Sequence, residues 1–155
     1  MQANDHHYMR QCLELAQIAL AAGDPPVGAV LVLDKTIIGR GIESGRSTGD
    51  ITRHAEIMAV KDAIRNGYAD RLQLSRMYTT HEPCVMCSYL IRHHRISAIM
   101  YGAAVPFVGG HTSAFNILST TDVPTWGPPP MISSGILEDE CKALTDRFSQ
   151  KFRES

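Results

Sequence analysis

A short apolar run places the strongest constraint on the fold. Residues 27–33 read VGAVLVL, which is far too short to cross a bilayer and has no polar position. Such a run is suited to a strand in the interior of a sheet. Asp34 and Lys35 follow as turn residues, and the segment 36–42 (TIIGRGI) returns as a partner strand. The sequence therefore predicts a hairpin near the start of the fold.

Helices and strands alternate after this hairpin, which favours a layered α/β sheet. A first helix is predicted to begin at Asp5 and to end at Gly23. Apolar residues at helical spacing predict a last helix with a single apolar face. This face consists of Leu137, Cys141, Leu144, Phe148 and Phe152. Between them we expect helices at 54–65 and 84–93 and short strands at 77–80 and 98–101.

Composition limits the classes of protein that remain. The chain has 155 residues, of which 44% are hydrophobic and 20% charged, as expected for one globular domain spanning 1–155. The formal net charge of −1 lacks the basic excess typical of nucleic-acid binders, so a polynucleotide substrate is disfavoured. No secretory signal or membrane span is recognised, which predicts a cytoplasmic protein whose four cysteines are thiols.

A histidine and two cysteines have the spacing of a metal site. Cys84 and Cys87 are three residues apart, so a helix beginning there places both thiols on one face. His54 begins another predicted helix and can supply a third ligand. One imidazole and two thiolates suit Zn²⁺, and three protein ligands leave a position for water, as in catalytic zinc sites.

Glu56 lies two residues after His54, close enough to act beside such a metal. A carboxylate there can take a proton from water and pass it to a leaving amine, which is general acid/base catalysis. Unpaired N–H groups at the two helix N-termini favour negative charge, and so favour thiolates at Cys84 and Cys87.

Other interpretations of these residues remain open. A Cys-x-x-Cys pair can be a redox pair or half of a structural zinc site, although neither requires the His-Ala-Glu segment. Cys12 and Cys141 lie alone on apolar helix faces and are interpreted as core residues. His93 and His94 are interpreted as helix-end histidines that interact favourably with the helix dipole.

The segments His54-Ala55-Glu56 and Pro83-Cys84-Val85-Met86-Cys87 resemble the signature of the cytidine/deoxycytidylate deaminase superfamily. From about residue 9 to 144, the chain is also similar to bacterial tRNA adenosine deaminases and to guanine and cytosine deaminases. This resemblance implies a three-layer α/β/α fold around a five-stranded mixed sheet. It also implies one zinc ion on His54, Cys84 and Cys87, with Glu56 as the proton shuttle.

The resemblance implies further site residues and an assembly. Backbone around Val27 and Ala29 would line the base pocket, while the Ala55 N–H and the Pro83 carbonyl would orient the substrate. Proteins of this superfamily commonly form dimers or higher assemblies, so a homodimer or larger homo-oligomer is expected.

Two departures from the resemblance bear on the substrate. Glu43 stands where relatives that act on nucleobases place an asparagine, and an ionised Glu only accepts hydrogen bonds. If Glu43 faces the pocket, a guanine-like edge with two donors is favoured; otherwise it is a solvated strand-end carboxylate. The loop 103–110 (AAVPFVGG) carries no charge that would attract a phosphate, whereas tRNA deaminases have a polar loop there.

The sequence thus favours a zinc-dependent hydrolase that releases ammonia from a free nucleobase-like heterocycle. A tRNA-specific adenosine deaminase is the first alternative, and a non-catalytic zinc-binding module the second. Three ring side chains are candidate substrate contacts in the region that caps the pocket in relatives: His111, Phe115 and Trp126. The alternatives are that Phe115 and Trp126 pack their loop on the core and that His111 is a surface histidine.

Overall fold

A mixed five-stranded sheet forms the middle of the molecule. The computed structural model describes residues 4–152, so both ends of the expected domain, residues 1 and 155, lie outside the described range. The strands are β1 (Gly28–Leu33), β2 (Thr36–Ile42), β3 (Arg76–His81), β4 (Ala98–Ala103) and β5 (Met131–Ser133). Their order across the sheet is β2-β1-β3-β4-β5. Strand β1 pairs antiparallel with both β2 and β3, whereas β3, β4 and β5 run parallel to one another.

Five helices accompany the sheet: α1 (Asp5–Ala21), α2 (Gly45–Thr48), α3 (Ala55–Arg65), α4 (Val85–His94) and α5 (Glu138–Phe152). Short 3₁₀ turns lie at Leu72–Leu74 and Pro124–Trp126. Helices α1 and α5 pack on one face of the sheet, and α3 and α4 pack on the other. The expected three-layer α/β/α fold with a five-stranded mixed sheet is confirmed.

The apolar run in β1 explains how both layers are held. Alternate residues of a strand point to opposite faces, so Val30 and Val32 pack under α1 and α5. Leu31 points the other way, into the cluster formed with α3 and α4. The predicted hairpin is confirmed, with Gly28 opposite Ile42. Cys12 and Cys141 are fully buried in the α1/α5 layer, as expected for core thiols.

A glycine lets β2 approach α3 closely. A Cβ atom built on Gly41 would lie 1.9 Å from the carbonyl oxygen of Ala55 and 2.5 Å from the nitrogen of Ala59. Both neighbours are backbone atoms of α3, which a side-chain rotation cannot move. Gly41 therefore fixes the distance between β2 and the start of α3, where His54 and Glu56 lie.

Two elements were absent from the sequence prediction. The strand β5 has only three residues, and Met131 in it is largely exposed, so it has no apolar run. Helix α2 is a single polar turn, GRST. Within residues 4–152, no helix has both the length and the apolar character that crossing a bilayer would need.

Candidate active site

Two helix starts bring the predicted ligands together. His54 directly precedes α3 and has an extended backbone, with φ −72° and ψ 149°. Cys84 directly precedes α4 in a similar conformation, with φ −72° and ψ 179°. Cys87 lies in the first turn of α4 and is completely buried. Because α3 and α4 share one face of the sheet, the three side chains converge at one edge.

The distances between the three ligand atoms fit a single tetrahedral metal ion. The Nδ1 atom of His54 lies 3.5 Å from Sγ of Cys84 and 3.4 Å from Sγ of Cys87. All three ligand atoms lie within 4.8 Å of one another. Zinc bonds of roughly 2.0 Å to nitrogen and 2.3 Å to sulfur give about 3.6 Å between ligand atoms at a tetrahedral centre. The donor set and spacing therefore fit zinc.

The protons of these groups are tightly shared. Hydrogen bonds from Cys87 and from His54 lower the pKa of Cys84 to about 4 despite its burial. The hydrogen bond to Cys84 raises the pKa of His54 to about 9. Zinc binds neutral imidazole and thiolates, so metal binding releases protons from this cluster.

Two carboxyl groups share one cavity with the ligands. Glu56, in the first turn of α3, is only 4% exposed, and Glu43, just after β2, is 6% exposed. Burial, followed by the charge of Cys84, raises the pKa of Glu56 to about 8. Burial also raises the pKa of Glu43, although its Oε2 accepts a hydrogen bond of 2.8 Å from the Gly45 N–H.

The cavity has a volume of about 370 Å³, enough for a flat heterocycle. Its polar lining consists of His54, Cys84, Glu43 and Glu56 together with His81, Glu82 and Thr145. The remaining described lining residues are apolar: Pro25, Pro26, Val27, Val105, Val108 and Phe148.

Glu82 holds the loop that closes one side of the cavity. Its carboxylate accepts hydrogen bonds from the N–H groups of Val105, His111 and Thr112 at 2.7–2.9 Å, and a fourth of 2.6 Å from the Thr112 hydroxyl. Burial opposes ionisation of Glu82, but these hydrogen bonds outweigh it and lower the pKa of the carboxyl. The loop carries Val105 and Val108 over the site.

His81 joins β3 to α5 at the opposite wall. Its Nδ1 lies 2.9 Å from Oγ1 of Thr80, and its Nε2 lies 2.6 Å from Oγ1 of Thr145. Burial lowers the pKa of His81 to about 4, so the ring is neutral at pH 7. The contact brings Phe148, one turn further along α5, to the cavity.

Three other predicted contacts lie behind the cavity. Ala29 and Ala55 are fully buried and pack together between β1 and α3. The Pro83 carbonyl accepts hydrogen bonds from the Gly110 N–H at 2.8 Å and from the Ser88 hydroxyl at 3.2 Å. Within residues 4–152 none of these three belongs to the cavity lining, and their contact with a substrate stays a prediction.

Glu43 lines the cavity, but the three ring side chains predicted as substrate contacts are absent from its described lining. Nδ1 of His111 lies 2.9 Å from the Tyr101 hydroxyl, and Phe115 is 59% exposed. Trp126 packs edge-on against Tyr89 and lies 5.1 Å from the guanidinium of Arg92. The contact of these three rings with a substrate therefore stays a prediction. Trp126 packs against other side chains, whereas Phe115 is largely exposed.

Sequence reasoning missed the contribution of α5 and of the residue at the end of β3. Phe148 was recognised as part of the apolar stripe of the last helix, but a stripe does not reveal which member reaches a site. His81 adjoins the Glu82-Pro83-Cys84 segment, and a histidine that ends a strand beside metal ligands was the available signal. Thr145 had none, because its role depends on how α5 packs.

The fold and the ligand geometry together define a zinc-dependent deaminase site. The family model for the cytidine and deoxycytidylate deaminase zinc-binding region matches residues 2–103, and the chain belongs to this family. It is therefore a hydrolase acting on C–N bonds with zinc as its cofactor, as the sequence predicted. These findings disagree with a redox pair and with a non-catalytic module.

Several relatives are similar over most of the chain. A tRNA-specific adenosine deaminase of Haemophilus influenzae is 40% identical over 97% of this chain and 86% of its own. A solved structure from a study of A-to-I editing by tRNA:A34 deaminases is 36% identical, covers 89% of this chain and 98% of its own, and has a TM-score of 0.81. A Bacillus subtilis guanine deaminase structure is 33% identical, covers 67% and 66%, and has a TM-score of 0.60.

These relatives correct one expectation. The preference for a free heterocycle over tRNA is wrong, because relatives matching nearly the whole chain are named tRNA-specific adenosine deaminases. The expectation depended on net charge, on the uncharged loop 103–110 and on Glu43, which suggested a guanine-like edge. None of these observations describes the charges that the fold places around the rest of the cavity.

Proposed function

We propose that this protein removes the amino group from an adenosine in tRNA and leaves inosine. The observation that carries this proposal is the near full-length similarity to tRNA-specific adenosine deaminases, combined with a cavity that contains His54, Glu56 and Cys84. Water adds across the bond between the ring nitrogen and the ring carbon that bears the amino group, and the amino group then leaves as ammonia. The cavity has room for one base, so the base must be turned out of its stack to enter.

His54, Cys84 and Cys87 would hold the zinc ion through Nδ1 and two sulfurs. When bound, zinc supplies a Lewis acid that makes water more acidic at neutral pH. The protein contributes the ligand arrangement, which the starts of α3 and α4 fix. The buried position of Cys87 excludes bulk water from one side of this cluster.

Glu56 moves the protons. Its carboxyl is buried in the same cavity, and a group with a pKa near the working pH can both accept and return a proton. Its carboxylate takes one proton from the attacking water and delivers it to the ring nitrogen. It then takes the second proton, from the hydroxyl newly formed on the ring carbon, and delivers it to the amino group, which leaves as ammonia while the carbonyl forms. This role requires no movement of the backbone, because the first turn of α3 fixes Glu56 beside His54.

Glu43 and Val27 are the predicted substrate contacts that line the cavity. Val27, with Phe148 on the facing helix, offers an apolar surface for the base. One carboxyl oxygen of Glu43 accepts from Gly45, and the other has no hydrogen-bond partner among residues 4–152. That oxygen can accept from a hydroxyl or N–H group of the nucleotide.

We expect the chain to form one domain spanning residues 1–155. The packing of α1 and α5, from the two ends of the described range, on the same sheet supports this expectation. We also expect a cytoplasmic homodimer or larger homo-oligomer. Exposed apolar side chains beside the site support an assembly, with Phe107 84% exposed and Phe115 59% exposed. Light scattering after size-exclusion chromatography measures the oligomeric state.

Incubation of the zinc-loaded protein with total tRNA, followed by reverse transcription and sequencing, tests the proposed reaction. Inosine is copied as guanosine, so a deaminated adenosine is recorded as an A-to-G change at a fixed position. Glu56→Gln is the matched control, because it keeps the size of the side chain and removes its acid/base function. We expect wild type to convert the adenosine and the variant to convert it at least about 10³-fold more slowly.

A folded, zinc-loaded wild-type protein that converts no tRNA adenosine would refute the proposal. Equal conversion by the Glu56→Gln variant would refute the assigned role of this residue while leaving the substrate intact.

A further inference from the structure

A second depression lies beside the active-site cavity and is lined by arginines. We call it the arginine groove, with a volume of about 470 Å³ between the edge strand β2 and helix α3. Its charged lining residues are Arg40 on β2, Arg53 just before α3, and Asp62 and Arg65 on α3. The remaining lining residues are Leu15, Ile42, Ser44 and Met58.

The guanidinium groups of the arginine groove form no ion pair with an acid in the described residues, although the charge of Asp50 interacts with Arg53. Neither guanidinium of Arg40 or Arg65 has a hydrogen-bond or ion-pair partner in the part of the chain that the structure describes. The Nε of Arg53 donates a 2.9 Å hydrogen bond to the hydroxyl of Ser44, a neutral group. Asp62 accepts a 2.9 Å hydrogen bond from the Arg40 backbone N–H. Three cations and one acid give the groove an excess of two positive charges on a chain of net charge −1.

The arginine groove and the active-site cavity share a wall. Glu43 lines the cavity and Ser44 the groove; His54 lines the cavity and Arg53 the groove. The two segments are joined by a 3.0 Å hydrogen bond from the Ser44 N–H to the Arg53 carbonyl. Among residues 4–152, only these two hydrogen-bonded segments therefore separate the groove from the cavity.

We propose that the arginine groove binds the phosphate backbone of the RNA next to the nucleotide held in the cavity. This inference rests on the proposed function, and it adds the surface that holds the polynucleotide. Repeated phosphates suit a row of separate guanidinium groups, each of which can donate two hydrogen bonds to one phosphate. Single-stranded nucleic acids are bound in this way, by a cationic groove that follows the backbone.

The groove also explains how a chain without a basic excess can bind RNA. Affinity from phosphate contacts depends on the local number of cations that displace counterions, not on the net charge of the whole protein. The uncharged loop 103–110 lies on another side of the cavity, where it supplies Val105 and Val108. Phosphate binding is thus assigned to β2 and α3, and base contact to the cavity.

The test compares an Arg40→Ala/Arg65→Ala double variant with wild type. Both side chains are exposed and lie outside the zinc ligands, so zinc content and thermal stability should be unchanged. The matched control is Arg10→Ala/Lys35→Ala, which removes the same charge from α1 and from the β1–β2 turn. Fluorescence anisotropy measures the Kd of labelled tRNA between 50 and 300 mM salt, and inosine formation gives KM and kcat.

We expect the double variant to bind tRNA roughly tenfold more weakly for each lost contact at low salt. The slope of log Kd against log salt concentration should decrease by about 0.7 for each lost phosphate contact. The KM for tRNA should rise in parallel, and kcat at saturation should stay within about twofold, since no reacting group is altered. The control double variant should match wild type in Kd to within about threefold.

Three outcomes separate the possibilities. If wild type deaminates tRNA and the double variant has the Kd, salt slope and KM of the control, the arginine groove is refuted and the proposed function stands. If the double variant loses binding of a polyglutamate peptide but keeps tRNA binding, the groove serves an acidic protein and the inference is also refuted. If wild type deaminates no tRNA, the proposed function fails first, and this extension fails with it.

Discussion

His81, the last residue of β3, contacts α5 with a neutral ring and makes the stability of the fold depend on pH. Burial lowers the pKa of His81 to about 4, whereas an unfolded histidine has a pKa of about 6.5. Between these values the unfolded chain binds a proton at this position and the folded chain does not. Stability therefore rises with pH across this range and is lost as the pH falls from about 6.5 towards 4.

Replacement of His81 by asparagine removes the titrating ring and keeps a polar group of similar reach. From the two pKa values, the wild-type ring destabilises the fold at pH 5 by about 2 kcal/mol relative to pH 8. The variant has no imidazole to protonate and so lacks this pH-dependent destabilisation. For a domain of this length, we expect the difference in Tm between the two proteins to change by about 4–8 °C over that pH interval.

Urea unfolding of both proteins at pH 8 and pH 5 measures the effect. Wild type and variant have the same zinc ligands. The effect of ligand protonation therefore cancels when the change in unfolding free energy from pH 8 to pH 5 is compared between the two proteins. Thr145→Val is the matched control, because it removes the hydroxyl 2.6 Å from the ring and keeps the ring itself. This control should retain the wild-type pH dependence. A His81→Asn variant whose stability also falls as in wild type would refute the reasoning.

Three further substitutions test the site. Gly41→Ala should destabilise the protein by about 3 kcal/mol or more and reduce its zinc content, because its Cβ would clash with the Ala55 carbonyl; thermal melts and metal analysis measure both. Cys87→Ser should lower zinc to less than about a tenth of an equivalent and abolish activity, while circular dichroism stays close to wild type. Glu82→Ala should cost about 3 kcal/mol in urea unfolding, because it leaves three loop N–H groups without their acceptor.

The sheet and the metal site could be predicted because their signals are local. The run 27–33 is apolar at every position, and it became the strand buried on both faces. His54, Cys84 and Cys87 lie at two helix starts, where spacing alone restricts the direction of the side chains. The burial of Cys12 and Cys141 followed from apolar surroundings on their own helices.

The remainder of the site depends on contacts between distant segments. His81 and Thr145 are 64 positions apart, and only the packing of α5 on the sheet brings them together. Trp126 lies in the segment 124–130 and was a candidate substrate contact, but it packs against Tyr89 and Arg92 of α4. Arg92 donates hydrogen bonds to the carbonyls of Leu118, Thr120 and Gly127, and so holds this segment against α4.

The substrate was misjudged because charge was assessed along the chain and not in space. The arginines of the groove are spread over 26 positions, from Arg40 to Arg65, and sequence order shows no cluster. The fold places them around one depression beside the cavity. A neutral loop and a net charge of −1 are therefore compatible with a polynucleotide substrate.

The most direct measurement is a zinc titration of inosine formation. The protein is stripped with a chelator, zinc is returned in steps, and the initial rate of A-to-I conversion in tRNA is recorded at each step. The initial rate should increase linearly with added zinc and reach a plateau at one equivalent of zinc per chain. Conversion by the metal-free protein, or no conversion at full zinc loading, would contradict a zinc-dependent adenosine deaminase.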